Sequence, residues 1–372
     1  MNEPERHPRR VSLVLPDLRH GGAQRVMLML AGELSRFGYE IEMAVLEGGG
    51  ALADQIPPGV AYRQLLGEGA SRRTFALRGP LALAGYLRTR WPDVALSTMT
   101  GTNFATVLGR LLAGTDTPLI LRQAVGMKNV GKAVKPWIAS LYRRAEAVVA
   151  VSAGVGKELQ DLGLAKDGIH VIHNPVDAES LAAKARLDAI PPQLHGRSYI
   201  VSVGRVSAQK DYPTLLRAFA ASGLARAHTL AIVGNGPDME ASLALAAALG
   251  LADRVQWLGA LANPYPVMAA AQLHVLASRW EGYPNVVLES LALRVPVVAT
   301  DAPWGAREAL EDGRRGALVA VGDVAGLAQA MAAAIGKPVP EDNQTWLERH
   351  SPRRIASQYA QLIDEVGVRR ER

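Results

Sequence analysis

The chain of 372 residues has no cysteine. That excludes a disulfide framework, thiolate metal sites and a thiol nucleophile, and it fits a reducing compartment. Aromatic residues make up only 5%, and they are not interleaved with the positive residues as a base-stacking platform requires, so no nucleic-acid partner is expected. No run of about 18 uninterrupted apolar residues occurs, so no membrane-spanning helix is expected. The N-terminal Met1–Arg10 stretch is polar and lacks the apolar centre of a signal peptide. The expected location is therefore the cytoplasm. Nor is there any Asp-x-Asp pair, so a metal-bridged diphosphate would lack its usual ligands. The reading is of a protein with no metal and no other cofactor.

What the chain does have is core-forming material. Hydrophobic residues account for 49%, which argues against global disorder, and the length predicts two domains. Net charge is +6, and residues 1–175 carry all of the excess, with 21 Lys and Arg against 15 Asp and Glu. That half should meet something anionic: a membrane surface, a phosphorylated substrate or nucleic acid.

Strand-like and helix-like stretches alternate through both halves, which implies parallel sheets covered on both faces. In the first half, Val11–Leu15 predicts a strand, followed by Gly21-Gly22 and a helical pattern (Val26, Leu28, Leu30, Ala31, Leu34). Adjacent glycines at a helix start let a ligand approach the backbone, although an ordinary turn reads the same way. Residues 67–80 read as a surface connection and Leu81–Arg90 as a helix. Thr98–Asn103 reads as a polar loop before a helix over Phe104–Ala113. Lys128, Lys132, Lys135, Arg143 and Arg144 cluster with Trp137 and Tyr142, and Val134, Ile138 and Leu141 share one helical face. Such a cationic, amphipathic stretch suits an anionic bilayer; the alternative is an ordinary surface helix. His173-Asn-Pro-Val-Asp177 reads as a hinge in which Asp177 caps the next helix, and Ser152 reads as another N-cap.

The second half concentrates ligand-suited residues where strands end, which is where open α/β sheets bind ligands. Gly204-Arg-Val-Ser-Ala-Gln-Lys210 places a guanidinium and an ammonium on one such loop, a pairing suited to a diphosphate. Gly234-Asn-Gly-Pro237 and Asp301–Glu308 follow other strands. In Ser278–Leu293, Glu281 and Glu289 lie eight residues apart. The spacing predicts a helix from Pro284 whose preceding Tyr283 is a poor cap, a potential anion site; carboxylates beside it favour hydroxyl donors. Phosphate and sugar in one ligand would satisfy both features. The alternative is a surface helix with two solvated glutamates.

Gly204-Arg205…Lys210, Glu281-Gly-Tyr-Pro-Asn-Val-Val-Leu-Glu289, Gly305-Ala-Arg-Glu308 and Gly21-Gly22 together resemble the pattern of glycosyltransferase family 4, over nearly the whole chain. The resemblance implies a GT-B fold, α/β with two doubly wound Rossmann-like domains facing each other across a cleft. Residues 1–175 would form an acceptor-binding domain, 176–350 a nucleotide-sugar-binding domain, and a helix within 351–372 would cross back onto the first. It implies retaining transfer of a hexose or N-acetylhexosamine from a nucleotide-sugar donor, UDP ahead of GDP, to a glycan or polyprenyl-diphosphate-linked acceptor. Arg205 and Lys210 would hold the diphosphate, beside Gly204. Glu281 would meet the sugar hydroxyls, with Gly282 and the backbone at Tyr283, Pro284, Asn285 and Val286 next to it, and Glu289 would accept from the ribose. Gly21 and Gly22 would approach the phosphates. Many relatives carry a histidine near the end of a middle strand of the first domain, where this chain reads Ser97-Thr-Met-Thr-Gly-Thr-Asn103. Asn103 is expected to orient sugar or acceptor in its place, unless that loop is unrelated; His20 is a weaker candidate. The rival readings are a nucleotide-sugar epimerase of the same fold and a non-catalytic nucleotide-sugar-binding protein.

Overall fold

The computed structural model describes residues 9–19, 21–67, 69, 72–127, 130–131, 134–340 and 342–368. His20, Lys128 and Lys132 lie outside these. The chain divides into two compact units, Met1–Pro175 with Pro352–Arg372, and Val176–Ser351. The chain thus passes from unit 1 to unit 2 once and returns in its last helix.

Unit 1 runs β1 (Arg10–Leu15), α1 (Gly22–Arg36), β2 (Glu40–Glu47), β3 (Ala61–Leu66), α2 (Arg72–Arg90), β4 (Val94–Thr98), α3 (Thr100–Ala113), β5 (Leu119–Gln123), α4 (Lys135–Tyr142), β6 (Ala147–Ala150), α5 (Ala153–Asp161) and β7 (Ile169–Val171). Its seven strands pair in parallel in the order β3-β2-β1-β4-β5-β6-β7. Unit 2 runs α6 (Ala178–Lys184), β8 (Tyr199–Val203), α7 (Tyr212–Ala221), β9 (Thr229–Val233), α8 (Met239–Ala248), β10 (Val255–Gly259), α9 (Tyr265–Ala269), β11 (Leu273–Leu276), α10 (Asn285–Ala292), β12 (Val297–Thr300), α11 (Ala306–Ala309), β13 (Ala317–Val319), α12 (Val324–Ala334) and α13 (Asn343–Arg349). Its strands are also parallel, in the order β10-β9-β8-β11-β12-β13. The final helix, α14 (Pro352–Val368), belongs to unit 1.

Sheets covered on both faces require strands with little alternation. Every residue of β4, β5, β6, β9, β11 and β12 is accordingly buried. Helix α14 explains how its own face of the first sheet is closed. Ile355, Tyr359, Leu362, Ile363 and Val366 join Val26, Met27 and Leu30 of α1 in one core. The Tyr39 hydroxyl donates to Asp364 at 2.9 Å and Arg9 to the Asp364 carbonyl at 3.2 Å. Ser152 and Asp177 cap α5 and α6 by accepting from Val155 N and Ser180 N, as their positions predict.

Three local expectations are corrected and one unread strand is added. Thr98–Asn103 is not a loop: Thr98 ends β4 and α3 already begins at Thr100. β3 escaped notice because it is an edge strand, largely exposed, without a buried alternate face. Residues 72–80 are not a loop but the first half of α2, which runs through Pro80. Tertiary packing overrides the breaker: α2 lies against α3, and its Arg88 donates to the Ala113 and Leu112 carbonyls at the end of that helix. In α4 the buried side is Ile138, Ala139 and Tyr142 rather than Val134, Ile138 and Leu141; Val134 is exposed.

Ile363 is fully buried between α14 and the rest of unit 1. Ile363→Ala should cost about 3 kcal/mol of stability through lost burial and the cavity left behind, read as a lower urea midpoint at unchanged slope.

Candidate active site

Strand order places the site. In unit 2, β8 leads outward to β9 and β10, whereas β11 lies on its other side and leads to β12 and β13. The direction of winding reverses between β8 and β11, and the carboxyl ends of two such strands open a crevice. The loop after β8 carries Gly204, Arg205 and Lys210; the loop after β11 carries Ser278, Glu281 and Gly282.

These two loops are joined by an ion pair. Lys210 Nζ lies 2.7 Å from Glu281 Oε1, and Ser278 Oγ donates to the same oxygen at 2.7 Å. Both charged side chains are largely withdrawn from solvent, at 16% and 9% exposure. Backbone contacts make the junction stiff. Arg279 N donates to Gln209 O at 2.7 Å, and Gln209 Nε2 donates to Trp280 O at 2.9 Å. Asp211, in the left-handed region at φ 46°, takes both the Arg279 guanidinium and the Thr214 hydroxyl. Arg205 stands exposed at the mouth of the same loop.

A third and a fourth strand end complete the frame. Gly234, after β9, has φ +143°, and a Cβ there would collide with the Gly204 carbonyl. After β12, Glu281 N donates to Pro303 O at 3.0 Å, Thr300 Oγ1 donates to Ser278 O at 2.5 Å, and a Cβ on Gly305 would strike the Gly282 carbonyl. Trp304, which bridges to Glu281, is held at φ 115°, where a bulky residue is strained and persists only because its surroundings fix it.

Pro284 proves to be the N-cap of α10, with Asn285 the first helical residue, one position later than the sequence predicts. It supplies no side-chain acceptor to the first turn, so the positive pole of the helix is not capped by its own N-cap residue. Glu289, one turn further on and half-buried, accepts from the Tyr265 hydroxyl at 3.3 Å. Tyr283 turns inward. The Trp346 carbonyl can only accept, so His350 Nδ1 bears the hydrogen in their 2.8 Å contact and Nε2 takes the Tyr283 hydroxyl at 2.7 Å. Tyr283 therefore contributes its backbone to the site, while its ring anchors the loop.

Unit 2 thus gathers Gly204, Arg205, Lys210, Glu281, Gly282, Tyr283, Pro284, Asn285, Val286 and Glu289 along adjoining strand ends. Gly21, Gly22 and Asn103 lie in unit 1. Gly21 is the extended N-cap of α1 and Gly22 its first residue, beside Asp17, which accepts from Arg19 N and Gln24 Nε2. Asn103 is not placed to orient a ligand. It sits in the first turns of α3, fully buried, with Oδ1 accepting from Ser97 at 2.7 Å and Nδ2 donating to Arg122 O and the Tyr142 hydroxyl. An amide with that many internal partners is a core polar junction. Ser278, Asp211, Tyr265 and His350 were not singled out from the sequence, because their roles depend on partners 3 to 68 residues away that no local pattern reveals. Among the described residues no cluster of three or more His, Asp or Glu could hold a metal ion.

Paired doubly wound α/β units with cations and carboxylates on the switch-point loops define the GT-B class. A protein from Anabaena solved with UDP and glucose has the same fold, at 20% identity and TM-score 0.80, over 96% of this chain and all of that one. Residues 20–180 match the model of glycosyltransferase family 4, and residues 197–337 match that of glycosyl transferases group 1. The N-acetylgalactosamine-N,N'-diacetylbacillosaminyl-diphospho-undecaprenol 4-alpha-N-acetylgalactosaminyltransferase of Campylobacter jejuni is 30% identical over 72% of each chain. A lipopolysaccharide core biosynthesis glycosyltransferase of Rhizobium meliloti is 26% identical over 93% of this chain and 96% of its own. The chain belongs to the family 4 glycosyltransferases, and it is a glycosyltransferase.

One buried group beside the site has a measurable signature. His274 in β11 is fully buried, and neither ring nitrogen has a partner among the described residues. Burial, followed by the Lys210 ammonium, pushes its pKa from 6.5 down to about 3. The folded state then binds fewer protons than the unfolded state between those values, so stability falls as pH drops below 6.5. Between pH 7 and pH 5 the loss should be roughly 2 kcal/mol. A His274→Leu variant should lack that increment when the two proteins' urea midpoints are compared at both pH values.

Proposed function

We propose that this protein transfers a hexose or N-acetylhexosamine from a UDP-linked donor to a glycan or polyprenyl-diphosphate-linked acceptor, with retention of anomeric configuration and without a metal, in polysaccharide or glycoconjugate biosynthesis. It would work at the inner face of the cell membrane as a peripheral protein. The observation that carries this reading is the Lys210–Glu281 pair at 2.7 Å, spanning the switch point and flanked by Arg205 and the start of α10. The acceptor class takes support from the Campylobacter relative, whose name specifies a diphospho-undecaprenol glycan. The donor class takes support from the Anabaena structure holding UDP and glucose.

On this reading the donor diphosphate enters beside Lys210 and Arg205, whose positive charges are fixed before the reaction and oppose the charge that develops as the glycosidic C1–O bond breaks. Glu281 holds Lys210 in place and accepts from a sugar hydroxyl; Glu289 accepts from the ribose. The acceptor oxygen attacks C1 on the face the diphosphate leaves, and its proton passes to the departing phosphate oxygen. The new C1–O bond replaces the old one on the same face. No enzyme nucleophile is consumed: UDP leaves with the electron pair of the broken bond and the acceptor's proton.

A thermal-shift screen of nucleotide sugars identifies the donor, since only a tightly held ligand raises Tm through mass action. Arg205→Ala, Lys210→Ala and Glu289→Ala should each lower turnover of that donor by about 10² to 10³. Because Lys210→Ala strands a buried carboxylate, the paired Lys210→Met/Glu281→Gln variant serves as its control: it should fold and remain inactive. Full activity in the three single variants combined would refute the assignment. EDTA should leave the initial rate of transfer unchanged, and a rate that collapses with chelator and returns with Mg²⁺ would refute the metal-free step.

A further inference from the structure

Between Glu68 and Glu146 the chain contains twelve Arg and Lys but only two acids, Asp93 and Asp116. That excess of ten is larger than the +6 of the whole chain. The segment builds one layer of unit 1: α2, α3 and α4, with α3 packed against both neighbours. The chain winds from β1 towards β3 through α1 and then turns back to β4 through α2. Right-handed crossovers therefore put α2, α3 and α4 on the face opposite α1 and its partner α14.

Each of these helices follows a parallel strand, so each begins at the carboxyl edge of the sheet, the edge where Gly21 and Gly22 also lie. The first halves of α2 and α4 carry large apolar side chains turned to solvent, whereas the exposed leucines of α3, Leu111 and Leu112, lie in its last turn. Leu77 is 74% exposed and Leu81, one turn later on α2, 63%; Trp137 on α4 is 72% exposed and Val134 just before it 48%. Arg78 stands exposed beside Leu77 and has no acidic partner among the described residues. At the other end of the layer the cations are engaged: Arg90 with Glu42, Arg110 with Glu146, and Arg88 with the carbonyls that end α3. Lys135 pairs with Glu158, and Arg122 is buried against Asn174. The combination left at the carboxyl edge, apolar ridges with a free guanidinium among them, is what an anionic lipid surface recognises: apolar groups enter at headgroup depth and cations meet phosphates.

We infer that the first halves of α2 and α4 are the surface by which unit 1 docks on an anionic bilayer, with Leu77, Leu81 and Trp137 inserted and Arg78 at the headgroups. This rests on the proposal of a lipid-linked acceptor and adds the surface that would bring unit 1 to it. The docking places the carboxyl edge of the first sheet towards the membrane, where such an acceptor is presented.

The test is co-sedimentation of the full chain with phosphatidylglycerol-containing vesicles and with pure phosphatidylcholine vesicles, at low and high salt. Wild type should pellet with the anionic vesicles only, and less as salt rises. The Leu77→Ser/Leu81→Ser/Trp137→Ala variant should partition at least tenfold more weakly at unchanged Tm, and hydrolyse the donor found by thermal shift at the wild-type rate. Brominated phosphatidylglycerol should quench wild-type tryptophan emission, and Trp137→Phe should abolish most of that quenching, a readout that survives if the triple variant misfolds. Failure of wild type to bind at low salt, or quenching unchanged in Trp137→Phe, would overturn the inference, as would wild type binding a single-stranded oligonucleotide more tightly than the anionic vesicles. If wild type ignores vesicles yet glycosylates a detergent-dispersed polyprenyl-diphosphate sugar, the docking surface is wrong and the proposed function stands. If it glycosylates no acceptor of that class but still binds vesicles, the reverse holds.

Discussion

The ion pair between Lys210 and Glu281 is the constraint on which the rest of the site depends. Two largely buried, opposite charges at 2.7 Å are tolerable only because each satisfies the other and Ser278 shares the carboxylate. Separating them would leave a bare charge in a poorly solvated place. The pair therefore fixes the distance between the loops after β8 and β11. The other contacts follow from that distance: Gln209 to Trp280, Asp211 to Arg279, and the tight backbone approaches at Gly234 and Gly305. Apolar burial supplies the stability of unit 2, and this pair sets where its reactive surface stands.

On the proposed function, four strand ends serve one ligand site. A diphosphate asks for cations that do not move, and a long lysine side chain is mobile unless its head is held. The Glu281 carboxylate holds it. That loop would itself be loose were it not pinned from β8 by Gln209 and from β12 by Thr300 and Pro303. The strained Trp304 and the inward Tyr283–His350 contact belong to the same logic: each spends local conformational freedom to keep the start of α10 in one position.

Much of this was legible in the residues. Alternating strand and helix patterns, near-continuous apolar strands such as Leu273–Leu276, and cations after a predicted strand were enough to place the unit 2 loops at one sheet edge. What could not be read was anything that depends on a distant partner. Asn103 looks like a loop amide next to a candidate site, yet Ser97, Arg122 and Tyr142 converge on it from three elements and seal it in the core. Residues 72–80 look like a glycine- and arginine-rich connection, yet packing against α3 makes them helical despite Pro80. β3 carries no buried face and so no period to detect. Local pattern therefore recovered elements that bury a face along their own length, and it failed where the burial is supplied by a neighbour.

The central claim is that the Lys210–Glu281 junction receives the donor diphosphate. A crystal structure of the protein with UDP bound tests it most directly. The account predicts a phosphate oxygen within about 3 Å of Lys210 Nζ, with the Arg205 guanidinium turned towards the same group and the ribose at Glu289. A well-occupied UDP whose phosphates lie away from the 204–210 loop, with Lys210 still wholly committed to Glu281, would contradict it.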